Sequence, residues 1–449
     1  MSQMLRSPAR ATVQLVAPGL VIALALLCIL LWISGGEAVV MAVMRVVASN
    51  YQRAPFTDAS AVLGVMQCYR EGVDIYVSNP CDIPLGRPHV YSSVWLLGAR
   101  TSITPASTMI VGTFMLLAFC LSMFLLPPAR SRRAAMLQTA AALSNAVIFS
   151  LFQANADVII FVMIVVAAAL VQRMLLLRIA GYALILAAAS LKFYPLTLMV
   201  IALRERIWTF MTVSAFSLFA FAVFVWIYGS DVPRALRVVP TGWITQMYGA
   251  TIIAAGLPIF PNGIRNVISA PPLTSLGLAL TAGLSILCIG TSILVTRVRS
   301  IDLALRGLPS QEKCFALLGC IIMVSCFFSG QNLRYRDIFL LMLLPAWSNL
   351  ATSTQPRVVK MLFGSATLLA ISLMWAVLVE NGIDHALTVL HVPEWIGGPA
   401  VALTWLMREL LRWVLVSVML VTTICLVSEL DLVRRYVHAW AGKGGIEGS

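Results

Sequence analysis

A chain of 449 residues that is 60% hydrophobic and only 11% charged lies far from the balance of a soluble domain, where about a quarter of residues are charged. The composition excludes an ordinary soluble enzyme. It also turns the net charge of +13 from a nucleic-acid signal into a membrane one, with Lys and Arg collecting in loops that face anionic lipid.

Each helix satisfies its own backbone hydrogen bonds inside lipid, which makes helices the economical solution, and the chain reads as one all-α integral-membrane domain over 1–449. Arg6 and Arg10 precede an apolar run, 11–34, which is too long for a signal peptide and reads as an uncleaved first helix. A polar stretch, 50–103, follows and carries Arg53, Asp58, Arg70, Glu71, Asp74, Asp82 and Arg87 together with Cys68 and Cys81. Apolar segments then recur at 104–126, 135–152, 156–172, 175–191, 195–203, 207–228, 274–296, 314–328, 337–350, 358–379 and 405–428. That pattern predicts about twelve transmembrane helices, since each needs roughly 20 apolar residues and the short ones are bent or re-entrant.

Short loops rich in Lys and Arg stay cytoplasmic. With the N-terminus inside, Arg130, Arg132, Arg133, Arg178, Arg204, Arg206, Arg306, Lys313, Arg357 and Lys360 fall on that side, as does the tail 429–449. The external segments are then 50–103, the turns around Asn155, Lys192 and Arg334, a second long loop at 229–274, and 380–404. The second loop, rich in proline, is long enough to cover a substrate. The polar clusters gather on this outer face, whereas a transporter places ionisable groups at mid-span, where this chain has few.

Asp58 opens a pattern in which Val62, Val65, Met66 and Tyr69 recur at helical spacing and Gly72 stops it, predicting a short amphipathic helix on the membrane. An acid there is either a residue favoured by the helix dipole or a catalytic carboxylate. Asp74 and Asp82 read either as solvated turn residues or as further acids of the same loop. Asn155 and Asp157 precede a helix and read first as caps. Lys192, Arg334 and Arg336 sit in short turns beside tyrosines, either snorkelling to the interface or holding a lipid phosphate. Cys68 and Cys81 could pair if their loop faces an oxidising compartment, which sequence alone leaves open; most of the other cysteines lie in apolar runs, and the nine show no metal-ligand spacing. His89, His385 and His391 read as interface residues, and Trp243, Trp395 and Trp405 as an aromatic belt.

Taken in order, these motifs resemble the polyprenol-phosphate-mannose-dependent mannosyltransferases of glycosyltransferase family 87, in the GT-C class. Asp58 stands where that family has its first-loop acid, and Gly72-Val73-Asp74-Ile75-Tyr76 resembles the segment after it. Gln153-Ala154-Asn155, Lys192-Phe193-Tyr194-Pro195 and Arg334-Tyr335-Arg336 are similar to its Gln-x-Asn, Lys-aromatic-Pro and late Tyr-Arg turns. Ala59-Ser60 and Tyr91-Ser92-Ser93 depart from it. The resemblance implies a GT-C fold and transfer of a hexose, mannose by analogy, from a polyprenyl-phosphate-sugar to a lipid or glycan acceptor outside an inner membrane. It implies Asp58 as base and Lys192, Arg334 and Arg336 as the phosphate site. Asp74, Tyr76, Asn155, Asp157, Tyr194, Gln331, Asn332 and Tyr335 become substrate-binding residues, and a divalent metal is optional. A lipid-linked glycan transporter and a glycan ligase are the alternatives.

Overall fold

A computed structural model describes residues 16–47, 54–83, 85–239, 246–258, 273–330 and 332–436. Arg6, Arg10, Arg53, Trp243, Gln331, Lys443 and most of the proline-rich part of 229–274 lie outside the described residues. The described chain is helical apart from one short antiparallel ladder, in which Met247 faces Leu333 and Tyr248 faces Asn332.

Among the described residues, six helices are long and apolar enough to cross a membrane: Pro105–Leu125, Ile207–Tyr228, Ser275–Thr296, Ser310–Phe328, Arg357–Val389 and Trp395–Ser428. Counted as one span, the pair Arg132–Ala142 and Asn145–Gln153, bent by 45°, adds a seventh. Shorter apolar helices fill Pro18–Ile33, Ala156–Leu170, Leu175–Leu191 and Tyr194–Arg204. Leu340–Thr352 packs beside them, so each predicted apolar segment is helical among the described residues.

Helix Ser310–Phe328 forms the centre, with 72% of its apolar window buried. A Cβ added at Gly319 would stand 3.0 Å from Met342 Cβ and 3.2 Å from Leu343 N, so glycine here lets the backbone of Leu340–Thr352 come close. Helix Ile207–Tyr228, with no buried residue, is the opposite case. Its Thr212 and Ser217 hydroxyls donate to the carbonyls of Trp208 and Val213, which suits polar atoms on a lipid-facing surface.

The two ends of the bundle are built differently. One is closed by short ion pairs between helix ends: Arg130 with Glu312 at 2.6 Å, Arg178 with Glu205 at 2.9 Å and Arg306 with Glu429 at 2.7 Å. The other carries a compact cap made by 54–103. Helix Thr57–Arg70 is the core of this cap, with Val65, Cys68, Ile75 and Tyr76 packed against Ala235 of a second short helix, Asp231–Arg237. Its predicted apolar face is buried in protein rather than laid on a membrane, since Val62, Val65 and Met66 are all inside and only Tyr69 is half exposed. A disulfide joins Cys68 to Cys81.

Candidate active site

The site begins with a turn that ends one helix and starts another. Ala154, at φ 47°, closes Asn145–Gln153, and Asn155 caps the next helix by accepting from Asp157 N at 2.9 Å. The other end of the Asn155 amide donates to Asp58 Oδ2 at 2.6 Å. One side chain therefore both caps a helix and fixes the loop acid. Phe56 N donates to Phe152 O at 2.7 Å, and the Thr57 hydroxyl hydrogen-bonds the Gln153 side chain, so the start of Thr57–Arg70 is pinned on that turn.

Asp58 Oδ1 accepts from Arg87 Nη1 at 2.8 Å, and the acid is 14% exposed. Arg87 also donates to Thr57 O at 2.6 Å and through Nε to Asp82 Oδ2 at 3.0 Å. Burial works against the charged Arg87, but the carboxylates of Asp82 and Asp58 outweigh it and raise its pKa. Asp82 is thus a buried partner rather than a solvated turn residue.

Beside Asp58 lies a fully buried carboxylate, Asp157. Its Oδ1 accepts from Lys192 Nζ at 2.5 Å and from the Tyr194 hydroxyl at 2.7 Å, and its Oδ2 stands 3.7 Å from Arg336 Nε. Lys192, 10% exposed, does not snorkel into open solvent. Its Nζ lies 5.1 Å from the Tyr91 ring and 5.4 Å from the Tyr335 ring, while the Arg336 guanidinium lies 4.5 Å over Tyr194. Burial lowers the Lys192 pKa, and Asp157 pulls it back. Asp58 is close enough for its charge to act on Lys192, Tyr91 and Tyr335.

The geometry thus brings together Asp58, Asn155, Asp157, Lys192, Tyr194, Tyr335 and Arg336 from four separate segments. The chain matches no protein-family model, no curated protein and no solved structure. Its chemistry has to be argued from this arrangement.

Other expected residues stand elsewhere. Asp74 pairs with Arg234 at 2.6 Å, Arg234 lies 4.6 Å over Tyr76, and the Tyr76 hydroxyl reaches Ser93, which donates to Asp231. These contacts tie the cap to Asp231–Arg237. Asn332 spends its amide on the carbonyls of Cys326 and Gly330. Arg334 turns to the opposite side of its 3-10 turn, Arg334–Phe339, where Nη2 is 3.8 Å from Glu380. Two interface readings fail: His89 is 1% exposed, and Trp405 is buried against Gly256.

Sequence reasoning missed a second ionic cluster around Arg334. Arg408 Nη1 donates to both oxygens of Glu380, at 2.5 and 2.6 Å, and its Nε donates to Glu409 at 2.8 Å. Arg412 donates to Met247 O at 2.7 Å and lies 5.4 Å from the Tyr248 ring. These charges lie near one end of the predicted spans 358–379 and 405–428 rather than at their middle, so the small number of ionisable groups expected at mid-span is not contradicted. The available signal was Arg408-Glu409 and Arg412 sharing a face within an apolar run, a set that lipid does not tolerate unpaired. Arg87 and Tyr91 were likewise given no role. Among the described residues, the three-residue set with metal-type ligands in reach of one another is Cys68, Glu71 and Cys81, and its two sulfurs form the disulfide.

Proposed function

We propose that the protein is a GT-C type membrane glycosyltransferase. It takes a hexose, mannose by the resemblance, from a polyprenyl-phosphate-sugar and gives it to a lipid or glycan acceptor outside an inner membrane. In this reading the twelve helical segments cross the membrane, both termini are cytoplasmic, and the cap 54–103 is external. The observation that carries the proposal is Asp58, held by Arg87 and Asn155 beside Lys192 and Arg336 at one end of the bundle.

The charges suit the substrate. Asp157, Lys192 and Arg336 sum to one positive charge, and the phosphodiester of the donor carries one negative charge. Each oxygen of Asp58 accepts one hydrogen bond and keeps a lone pair for another. The acceptor oxygen attacks the anomeric carbon as its proton passes to Asp58, and the bond from that carbon to the phosphate oxygen breaks. Lys192 and Arg336 stabilise the charge growing on the departing polyprenyl phosphate. Asp157 positions those two cations and, being fully buried, does not itself meet the sugar. One displacement inverts the anomeric centre. Arg334 is reassigned from the phosphate site to the second ionic cluster.

Arg408, Glu409, Arg412 and Glu380 favour a second reading, transport of a lipid-linked glycan, because transporters bury ionisable groups in their spans. Against it, Glu380 and Arg408 stand about 30–35 Å along their helices from the end bearing Arg357 and Ser428, the thickness of the hydrocarbon core rather than half of it. Proteoliposomes decide between the two. Mannose transfer from polyprenyl-phosphate-mannose to added acceptor is expected. Leaflet exchange of a fluorescent lipid-linked sugar without any transfer would overturn the enzyme reading.

A further inference from the structure

At the end of the bundle away from Asp58, a cavity of about 370 Å³ is lined by Arg204, Arg206, Lys313, Ser310, Glu205 and Glu429, among others. Its acids already have cations: Glu205 has Arg178 at 2.9 Å, Glu429 has Arg306 at 2.7 Å, and Asp431 has Arg434 at 3.2 Å. Arg204 and Arg206 have no acidic partner among the described residues. The cavity therefore holds surplus positive charge. Helix Ser310–Phe328 begins on its wall after Pro309, with no side-chain cap, which adds the positive end of a helix dipole.

The flank of the cavity is apolar. Arg206 is followed directly by helix Ile207–Tyr228, no residue of which is buried, and Trp208 is 76% exposed. A charged headgroup in the cavity would have a hydrocarbon-compatible surface running away from it. We propose that this cavity binds a phosphate group, and that its source is an anionic phospholipid whose acyl chains lie along Ile207–Tyr228. The site is independent of the transfer chemistry at the opposite end.

The test is thermal unfolding of the full-length protein in dodecyl maltoside micelles titrated with phosphatidylglycerol, with inorganic phosphate as a separate arm. Three proteins are compared: wild type, Arg204→Gln/Arg206→Gln, and Arg357→Gln/Lys360→Gln, which removes equal charge from the same end outside the cavity. Phosphatidylglycerol is expected to raise the melting temperature of the wild type and the control with the same midpoint. The cavity variant should need roughly 10- to 30-fold more lipid. If inorganic phosphate alone reproduces an arginine-dependent shift, the anion site stands and the lipid source is overturned. Equal midpoints in all three proteins, or no shift in the wild type, overturn the site itself. Arg206 is exposed, so Arg206→Gln alone, with a loss of about fivefold, gives the same reading if the double variant does not fold.

Discussion

Asn155 joins the two halves of the candidate site, because its oxygen caps a helix and its nitrogen holds Asp58. Asp157 does the comparable work for the cations. Removing its charge leaves Arg336 buried without its carboxylate and Lys192 with only the weaker pull of Asp58, so Asp157→Asn should lower stability by about 3–5 kcal/mol. Denaturant unfolding checks this, and a loss below about 1 kcal/mol would show that the cations find other partners. His89 adds a pH dependence. Burial lowers its pKa from 6.5 to about 4, so the unfolded chain binds a proton that the folded cap refuses. Its contribution is fully present above pH 6.5 and is lost as the pH falls towards 4, a change on the order of 3 kcal/mol. Protease sensitivity of the cap should rise across that window, and His89→Phe should flatten the response.

At the scale of elements, the cap is held by close backbone approach. A Cβ at Gly64 would stand 2.8 Å from Cys81 O and 2.9 Å from Asp82 N, both backbone atoms that cannot swing away. Gly64→Ala should therefore push 79–87 off helix Thr57–Arg70, displace Arg87 from Asp58, and cut transfer at least tenfold. Assays on folded, monodisperse variant protein test this, and unchanged turnover would show that Arg87 need not hold Asp58. The helix Thr57–Arg70 was legible from apolar residues three and four apart, because that spacing reports a buried face whatever buries it. What covers that face was not legible. Ile75 and Ala235 are separated by a long stretch of chain, and local periodicity carries no information about such contacts. The same limit explains Asp74, whose solvated turn gave no hint of Arg234. Arg408 and Arg412 were masked differently, by an apolar run that made their segment read as an ordinary span.

For the whole molecule, helix positions were readable because a run of apolar residues has one stable form in lipid. Lengths were less so. Arg357–Val389 and Glu394–Ser428 continue past the predicted spans, so most of 380–404 is helical. Orientation has a direct check. Leu390, 72% exposed at the turn between these helices, should be labelled as Leu390→Cys by an impermeant maleimide on intact cells. Thr354→Cys, at the end closed by Arg130 and Glu312, should react only after permeabilisation. The reverse pattern would invert the proposed topology and put the cap inside. The most direct test of the central claim is mannose transfer from radiolabelled polyprenyl-phosphate-mannose by wild type and Asp58→Asn at matched levels, with donor binding measured alongside. The account predicts transfer by the wild type, a loss of about 10²- to 10⁴-fold in the variant, and unchanged donor binding. Near-normal turnover by Asp58→Asn would contradict it.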